Sequence, residues 1–442
     1  MSKVRKITAF AAPAVMALAI AAPSEAKILL MGDGGWEVSF DGSVNTFYSN
    51  QTKKEIETGA GSNYSTHTGV DSDGEDTSRV VVGLLPAIWG MNVKAPTTGG
   101  IDMAARVMMG ISTQNNRKKN TSNAASGGQN GGNLDLREIH FTASGGYGQV
   151  LVGRTLSIYQ GSNIVNDMTL FGVGAQSGAG AGGGTTLGRI GFGYVYPNFN
   201  TGIRYTTPTG GGFKLAVGVF DPSTVGGGQS ATETLLPRVE SEVSFANSFG
   251  GLTVNAWVNG MYQMAQRSTS EIQTACADIS NGGGGVVTAG SGKTCGVSGD
   301  VHVGGGAAGL AFGYGGLKLT ATGYYGKGLG TTLMIDTDAL DKKGNARQHE
   351  GGYIQGTYSF PNGTNVGASW GESRAKESLT DFQQRSTVAV AIESQNLIDV
   401  MVWHNINDNL RFVAEYGHQE VDWHDGAKQE ADIVSFGGFF FW

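Results

Sequence analysis

Leu252-Thr-Val-Asn-Ala-Trp-Val-Asn-Gly-Met-Tyr262 separates into two faces when every second residue is taken. Leu252, Val254, Ala256, Val258, Gly260 and Tyr262 make one face; Thr253, Asn255, Trp257, Asn259 and Met261 make the other. Successive side chains of a β-strand point to opposite sides, so this period marks a strand with one apolar and one half-polar face. The same alternation runs through 36–48, 213–221 and 317–327. Short connections with hairpin chemistry separate such segments: Pro208-Thr-Gly-Gly-Gly212, Ser248-Phe-Gly-Gly251, Tyr314-Gly-Gly316, Pro361-Asn-Gly-Thr364 and Asn407-Asp-Asn409. Long polar stretches lie between them, over 49–77, 114–133, 222–237, 268–300, 328–350 and 375–385.

Counting alternating segments predicts about sixteen strands, near 36–48, 78–90, 101–111, 134–144, 147–156, 190–207, 213–221, 238–247, 251–267, 301–314, 317–327, 352–360, 365–374, 396–406, 410–423 and 430–442. Sixteen strands of about 11 residues and eight turns of about four leave roughly 26 residues for each long loop. The expectation is an all-β fold: a 16-stranded antiparallel transmembrane β-barrel.

Composition agrees with a membrane face on the outside. The chain has 442 residues, 73 of them Gly, with 15% charged residues. Glycine is more than twice its usual roughly 7%, and charge is well under the usual roughly 25%. No Gly-X-Y period exists, which excludes collagen, and 9% aromatic residues argue against disorder. Lys3, Arg5 and Lys6 precede an apolar run over 7–22, and Ser24-Glu25-Ala26 follows with the small-residue pattern of a signal-peptidase site. Residues 1–26 are therefore expected to be a cleaved signal peptide, and 27–442 the barrel domain. Beyond the leader no window of 18 apolar residues exists, so no helix is expected to span a membrane. A net charge of −7 disfavours nucleic acid as a partner. Cys276 and Cys295 form an even pair in an exported chain and are a candidate disulfide.

Three stretches carry a family resemblance. Leu134-Asp-Leu-Arg-Glu-Ile-His-Phe-Thr-Ala-Ser-Gly-Gly-Tyr-Gly-Gln-Val-Leu-Val-Gly-Arg154 is strand, glycine turn, strand; Asn200-Thr-Gly-Ile-Arg-Tyr-Thr-Thr-Pro208 is a second match; Val434-Ser-Phe-Gly-Gly-Phe-Phe-Phe-Trp442 is the chain's end. The sequence resembles the general porins of Gram-negative outer membranes. The resemblance implies a constriction loop folded into the lumen, which maps to 157–187, with Asp167 its only acid and a glycine run over 178–184. It implies a homotrimer, and a terminal signal at Phe436, Phe440 and Trp442 read by the barrel assembly machinery. The family usually ends in Phe; here Trp442 stands last, and the family's Pro-Glu-Phe-Gly-Gly-type element is absent.

Strand parity places Arg79, Arg106, Arg137, Arg154 and Arg204 in the lumen, where guanidinium groups can pass an anion from donor to donor. If Arg137 points inward, strict alternation sends Glu138 and His140 outward, toward an interface or a neighbouring subunit, unless a bulge flips the parity. Asp71, Asp73 and Asp76 surround a glycine turn and form a weak Ca²⁺ candidate, or a place to share divalent ions with lipopolysaccharide. The histidines show no paired-ligand spacing, and no transition-metal site or cofactor is expected.

Enzyme motifs fail on context. Gly367-Ala-Ser-Trp-Gly371 continues an alternating strand and lacks the following helix of a nucleophile elbow; Gly304-Gly-Gly-Ala-Ala-Gly309 lacks one too. Gly290-Ser-Gly-Lys-Thr294 mimics a phosphate loop, but Val287 holds the required glycine position. The expected function is passive diffusion of ions and small hydrophilic solutes across the outer membrane, weakly anion-preferring, with no catalysis. The alternatives are a substrate-specific channel and a secreted or surface β-rich adhesion protein.

Overall fold

The computed structural model describes residues 28–58, 67, 76–115, 131–176, 185–226, 230–268, 271–272, 299–336, 338–341, 343–385 and 390–442. The expected signal peptide, Cys276, Cys295, Asp71, Asp73 and the glycine run over 178–184 lie outside them.

The wall consists of β1 (Ile28–Asp33), β2 (Trp36–Lys53), β3 (Thr77–Val81), β4 (Ala87–Lys94), β5 (Asp102–Asn115), β6 (Gly131–Gly145), β7 (Gly148–Leu156), β8 (Phe199–Thr206), β9 (Phe213–Phe220), β10 (Arg238–Phe249), β11 (Leu252–Gln266), β12 (Asp300–Tyr314), β13 (Leu317–Lys327), β14 (Gln348–Ser359), β15 (Thr364–Ala375), β16 (Ile392–Asn405), β17 (Leu410–Trp423) and β18 (Lys428–Phe441). All pair antiparallel in one sheet that closes on itself through β18 and β2. Two staves are composite. β1 and β18 share one edge of β2, and β3 and β4 share the other. The result is a closed antiparallel 16-stranded barrel.

Closure leaves no edge with unpaired backbone groups, which is the condition for strands to cross a bilayer. β2 and Trp442 meet there: Gly42 N donates to Trp442 O (2.9 Å) and Trp442 N to Gly42 O (3.1 Å). The turn from β10 to β11 runs through Gly250 and Gly251 at φ 56° and 89°, the left-handed pair that a two-residue hairpin of the right twist requires.

Alternation sorts the side chains as the period predicts. Val44, Val80, Phe141, Val258, Leu319 and Phe436 are exposed on the outer wall, while Ser49, Asn259, Gln355 and Ser435 are buried inside. Sequence and structure differ at three places. β1, Ile28–Asp33, lies before the first expected strand. The segment 78–90 is interrupted at 82–86, where Leu84 and Leu85 turn inward and Leu84 N donates to Gly172 O (2.9 Å). The segment 190–207 is a strand only over Phe199–Thr206, because Ile190, Phe192, Tyr194 and Val195 are buried with residues preceding them in the 157–198 segment and with the inner wall.

Candidate functional site

A run of inward hydrogen bonds fixes the chain between β7 and β8. Parity puts Glu240 of β10 inward, beside the outward Val239, and its Oε2 accepts from Ile158 N (2.7 Å) and Tyr159 N (3.0 Å). Asn259 of β11 accepts from Gln160 N (3.3 Å), and Gln355 of β14 from Met168 N (2.7 Å). Glu415 of β17 accepts from Val173 N (2.7 Å) and Gly174 N (2.8 Å), one with each carboxylate oxygen. A short helix, Gly161–Val165, and a 3₁₀ turn, Met168–Phe171, lie between these anchors.

The expected constriction acid has another task. Asp167 is buried; it caps the 3₁₀ turn through Thr169 N (3.0 Å), accepts from Tyr194 OH (2.8 Å) and lies 4.0 Å from Arg189 Nε. Its charge is used inside the segment rather than presented to the arginines.

The basic residues divide. Arg79 pairs in register with the buried Ser49 and lies on the inner face. Arg106 is also inward, but its guanidinium is filled: Nη1 and Nη2 fork onto Asp41 (2.7 and 2.9 Å), Nε donates to Glu138 (2.7 Å) and Nη1 to Asn92 (2.7 Å). Arg137 donates Nε to Asp135 (3.0 Å) and stacks over Phe199 at 5.5 Å. Arg204 is inward and buried, with no partner for its Nε.

Two expectations about faces need correction. Arg154 pairs with Ile139 and Thr201, both exposed on the outer wall, and donates Nε to the Leu136 carbonyl (3.1 Å). Parity misplaces it because Leu151 is an inward apolar residue, 1% exposed, so hydrophobicity does not tell the two faces of β7 apart. Glu138 and His140 point inward with Arg137, because the register between β5 and β6 skips one residue there: Met108 faces Glu138 and Met109 faces Leu136. Arg137 is the extra residue of a bulge, which flips the parity after it. These two side chains therefore say nothing of a neighbouring subunit.

Several inner-wall groups escape motif reading. Glu240 and Glu415 carry no motif, and only the strand period marks them, as charges alternating with Val239 or Tyr416. Arg411 stacks over Phe171 (4.7 Å) and Phe441 (5.4 Å), joining wall and inner segment in a way no local pattern announces. On the outer wall Phe436 and Phe440 are exposed, and Phe440 stacks on Trp442 at 6.1 Å. Asp76 precedes β3 and is exposed. His418, Glu420 and Glu430 come together on the outside of β17 and β18, where Lys428 is paired with Glu420 and Glu430, and Lys54 lies 2.7 Å from Glu430.

An apolar exterior, a hydrogen-bonded polar interior and full closure define an outer-membrane channel barrel. The family model for the Gram-negative porin matches residues 9–441, and the chain belongs to that family. Among solved structures it is similar to the outer membrane channel DcaP of Acinetobacter baumannii, at 15% identity and a TM-score of 0.62, covering 94% of this chain and 100% of that one. It is also similar to the anion-selective porin from Comamonas acidovorans (13% identity, TM-score 0.55, 92% and 100% covered) and to Salmonella typhi OmpF (13%, 0.51, 93% and 100%). At these identities the likeness is one of fold. No curated protein matches the chain. Family and fold point to a channel for solute diffusion in the outer membrane rather than to an enzyme.

Proposed function

We propose that this channel passes ions and small hydrophilic solutes with a weak preference for anions, and that the segment 157–187 is its constriction loop. The reading includes a leader over 1–26 removed on export, and three copies per assembly as the resemblance to general porins implies. One observation carries the anion preference. Arg106 is neutralised by Asp41 and Glu138, and the buried Arg204 faces Glu138, Glu240 and Glu242, but Arg79 stands on the inner wall with no ion pair among the described residues. An arginine without a counter-charge beside a water-filled path lowers the energy of a passing anion and raises that of a cation.

The test is the reversal potential of the purified protein in a planar bilayer under a salt gradient. At an effective dielectric near 20 and screened by salt, one such charge should change the anion-to-cation permeability ratio by roughly twofold. Arg79→Gln should therefore move the ratio toward cations, while Arg154→Gln, on the outer wall, should not. An unchanged ratio in Arg79→Gln would sink the assignment.

A further inference from the structure

Between β13 and β14 the chain turns into the barrel mouth. Leu329 is fully buried, seated over two inward glycines of the wall: a Cβ at Gly305 of β12 or Gly326 of β13 would stand 2.9 or 2.7 Å from its Cδ1. Met334, Ile335, Ala339 and Leu340 are buried in one cluster with Met261, Ala265, Val301 and Val303, which point inward from β11 and β12. Further along, Thr332 O accepts from Tyr196 N (2.9 Å) and Ile335 O from Gly226 N (2.9 Å), so the segment reaches the end of the 157–198 segment and the loop after β9.

The root of this insertion is tied down. Arg347 forks onto Asp381 (2.8 and 2.7 Å) and donates Nη1 to Asp338 O (2.9 Å), while Arg267 Nη2 donates to Gly344 O (3.0 Å). Ile335 has φ 57°, a conformation that costs a β-branched residue on the order of 1–3 kcal/mol. Burial of its side chain and the Ile335 N to Leu329 O bond (2.6 Å) offset that cost. A chain drawn inward at such a cost is held there by its contacts.

One apolar residue of the insertion is exposed. Leu333, flanked by the buried Met334 and Ile335, is 43% exposed. It bridges Tyr196, a residue close enough to Arg137 and Asp135 to feel both charges. We propose that 328–347 is a second inward loop and that Leu333, at its tip, lines the solute path as a specificity-determining residue. The path then has two successive narrowings, and Leu333 sets its apolar methyl groups opposite the charged strip of β6. A neck with one apolar side favours solutes that give up part of their hydration shell there, and disfavours those that cannot.

The test is a cysteine at the tip. Leu333→Cys is made in a Cys276→Ser, Cys295→Ser background and placed in a bilayer, and methanethiosulfonate reagents bearing a sulfonate or a trimethylammonium group are added. Each modification should cut the single-channel current in a discrete step, and the two reagents should move the reversal potential in opposite directions. Leu333→Trp should lower the current without any reagent. Heat-modifiable gel migration verifies that each variant is a folded barrel. Refusal of the folded protein to label would overturn the proposal, as would full labelling by mass with current and reversal potential unchanged. The unsubstituted channel supplies the baseline, so failure of anion preference there bears on the earlier reading and leaves this one standing.

Discussion

Glu415→Ala should release the inner segment from one side of the wall without unfolding the barrel. In the intact protein each carboxylate oxygen holds one backbone amide, Val173 N at 2.7 Å and Gly174 N at 2.8 Å, and Val173 and Gly174 are both buried. A hydrogen bond to a charged acceptor contributes about 1.5–3 kcal/mol, and an orphaned buried amide costs a comparable amount. Two of them bound the loss at about 3–6 kcal/mol. Asp399 lowers that figure. It is buried beside Glu415, close enough for one carboxyl to donate to the other, so removing Glu415 also relieves two acids of sharing one buried site. A net local loss of about 2–4 kcal/mol corresponds to roughly 30- to 1000-fold faster amide exchange. Hydrogen exchange read by mass spectrometry on peptides covering 168–176 measures this directly, with 158–160, held by Glu240 and Asn259, as the internal control. Glu415→Gln should fall between, because its amide keeps one acceptor oxygen and turns a donor toward the second N–H. Exchange over 168–176 within about threefold of the unsubstituted protein would refute the view that this carboxylate anchors the segment.

Arg106→Ala should destabilise the barrel by about 3–5 kcal/mol, because Glu138 is fully buried and loses the one ion pair it makes among the described residues. Arg106→Lys should restore little, since one ammonium cannot serve Asp41, Asn92 and Glu138 from a planar fork; denaturant midpoints in detergent check both. The root of the second inward loop should tolerate acid. Burial alone would raise Asp338, but the His349 imidazole 3.8 Å away and hydrogen bonds from Thr331 outweigh it and bring the carboxyl down to about 2. A depressed carboxyl contributes stability that is complete above its ordinary value near 3.8 and is lost as pH falls through about 2. Pepsin cleavage within 328–347 should thus stay absent near pH 4 and begin near pH 2; onset at pH 4 would mean that Asp338 does not hold the loop.

The wall was legible from the period of two, because one side of each strand meets lipid and the other a polar interior. Leu252–Gln266 shows why: every outward residue named from alternation is outward, and Trp257, set among the polar ones, is inward and buried, with its Nε1 on Asn163 (2.8 Å). Reading failed where that contrast fades. In β7 Leu151 packs inward, so both faces look apolar and Arg154 goes to the wrong one. In β6 a single extra residue at Arg137 reverses the parity beyond it, and the one-dimensional pattern of Glu138 and His140 is the same with or without a bulge. Asp167 was misplaced for a third reason. Its partners, Tyr194 and Arg189, lie more than twenty residues away, and only the return of the chain reveals that its charge is used locally. The anchors Glu240 and Glu415 were within reach, since an inward carboxylate in a crowded lumen must find donors, and a neighbouring loop's amides are the nearest supply.

Glycine, 73 residues of the chain, is the composition's strongest signal, and turns absorb only part of it. The inner wall uses the rest as bare floor. The Arg106 fork lies on Gly90, where a Cβ would stand 2.9 Å from Nη2, and Met168 of the inner segment lies on Gly367, its sulfur 2.6 Å from the same kind of point. Leu329 sits over Gly305 and Gly326 in the same manner. Each such glycine costs a strand about 0.5–1 kcal/mol in backbone freedom. What offsets the cost is a side chain laid flat, or a loop seated, without loss of lumen. A barrel of fixed strand number has a fixed bore, so two inward segments and a charged strip fit within it only if the wall beneath them is thin. On this argument the wall glycines position the narrowings, and the width left to a solute is set as much by Gly90, Gly305 and Gly326 as by the side chains that rest on them.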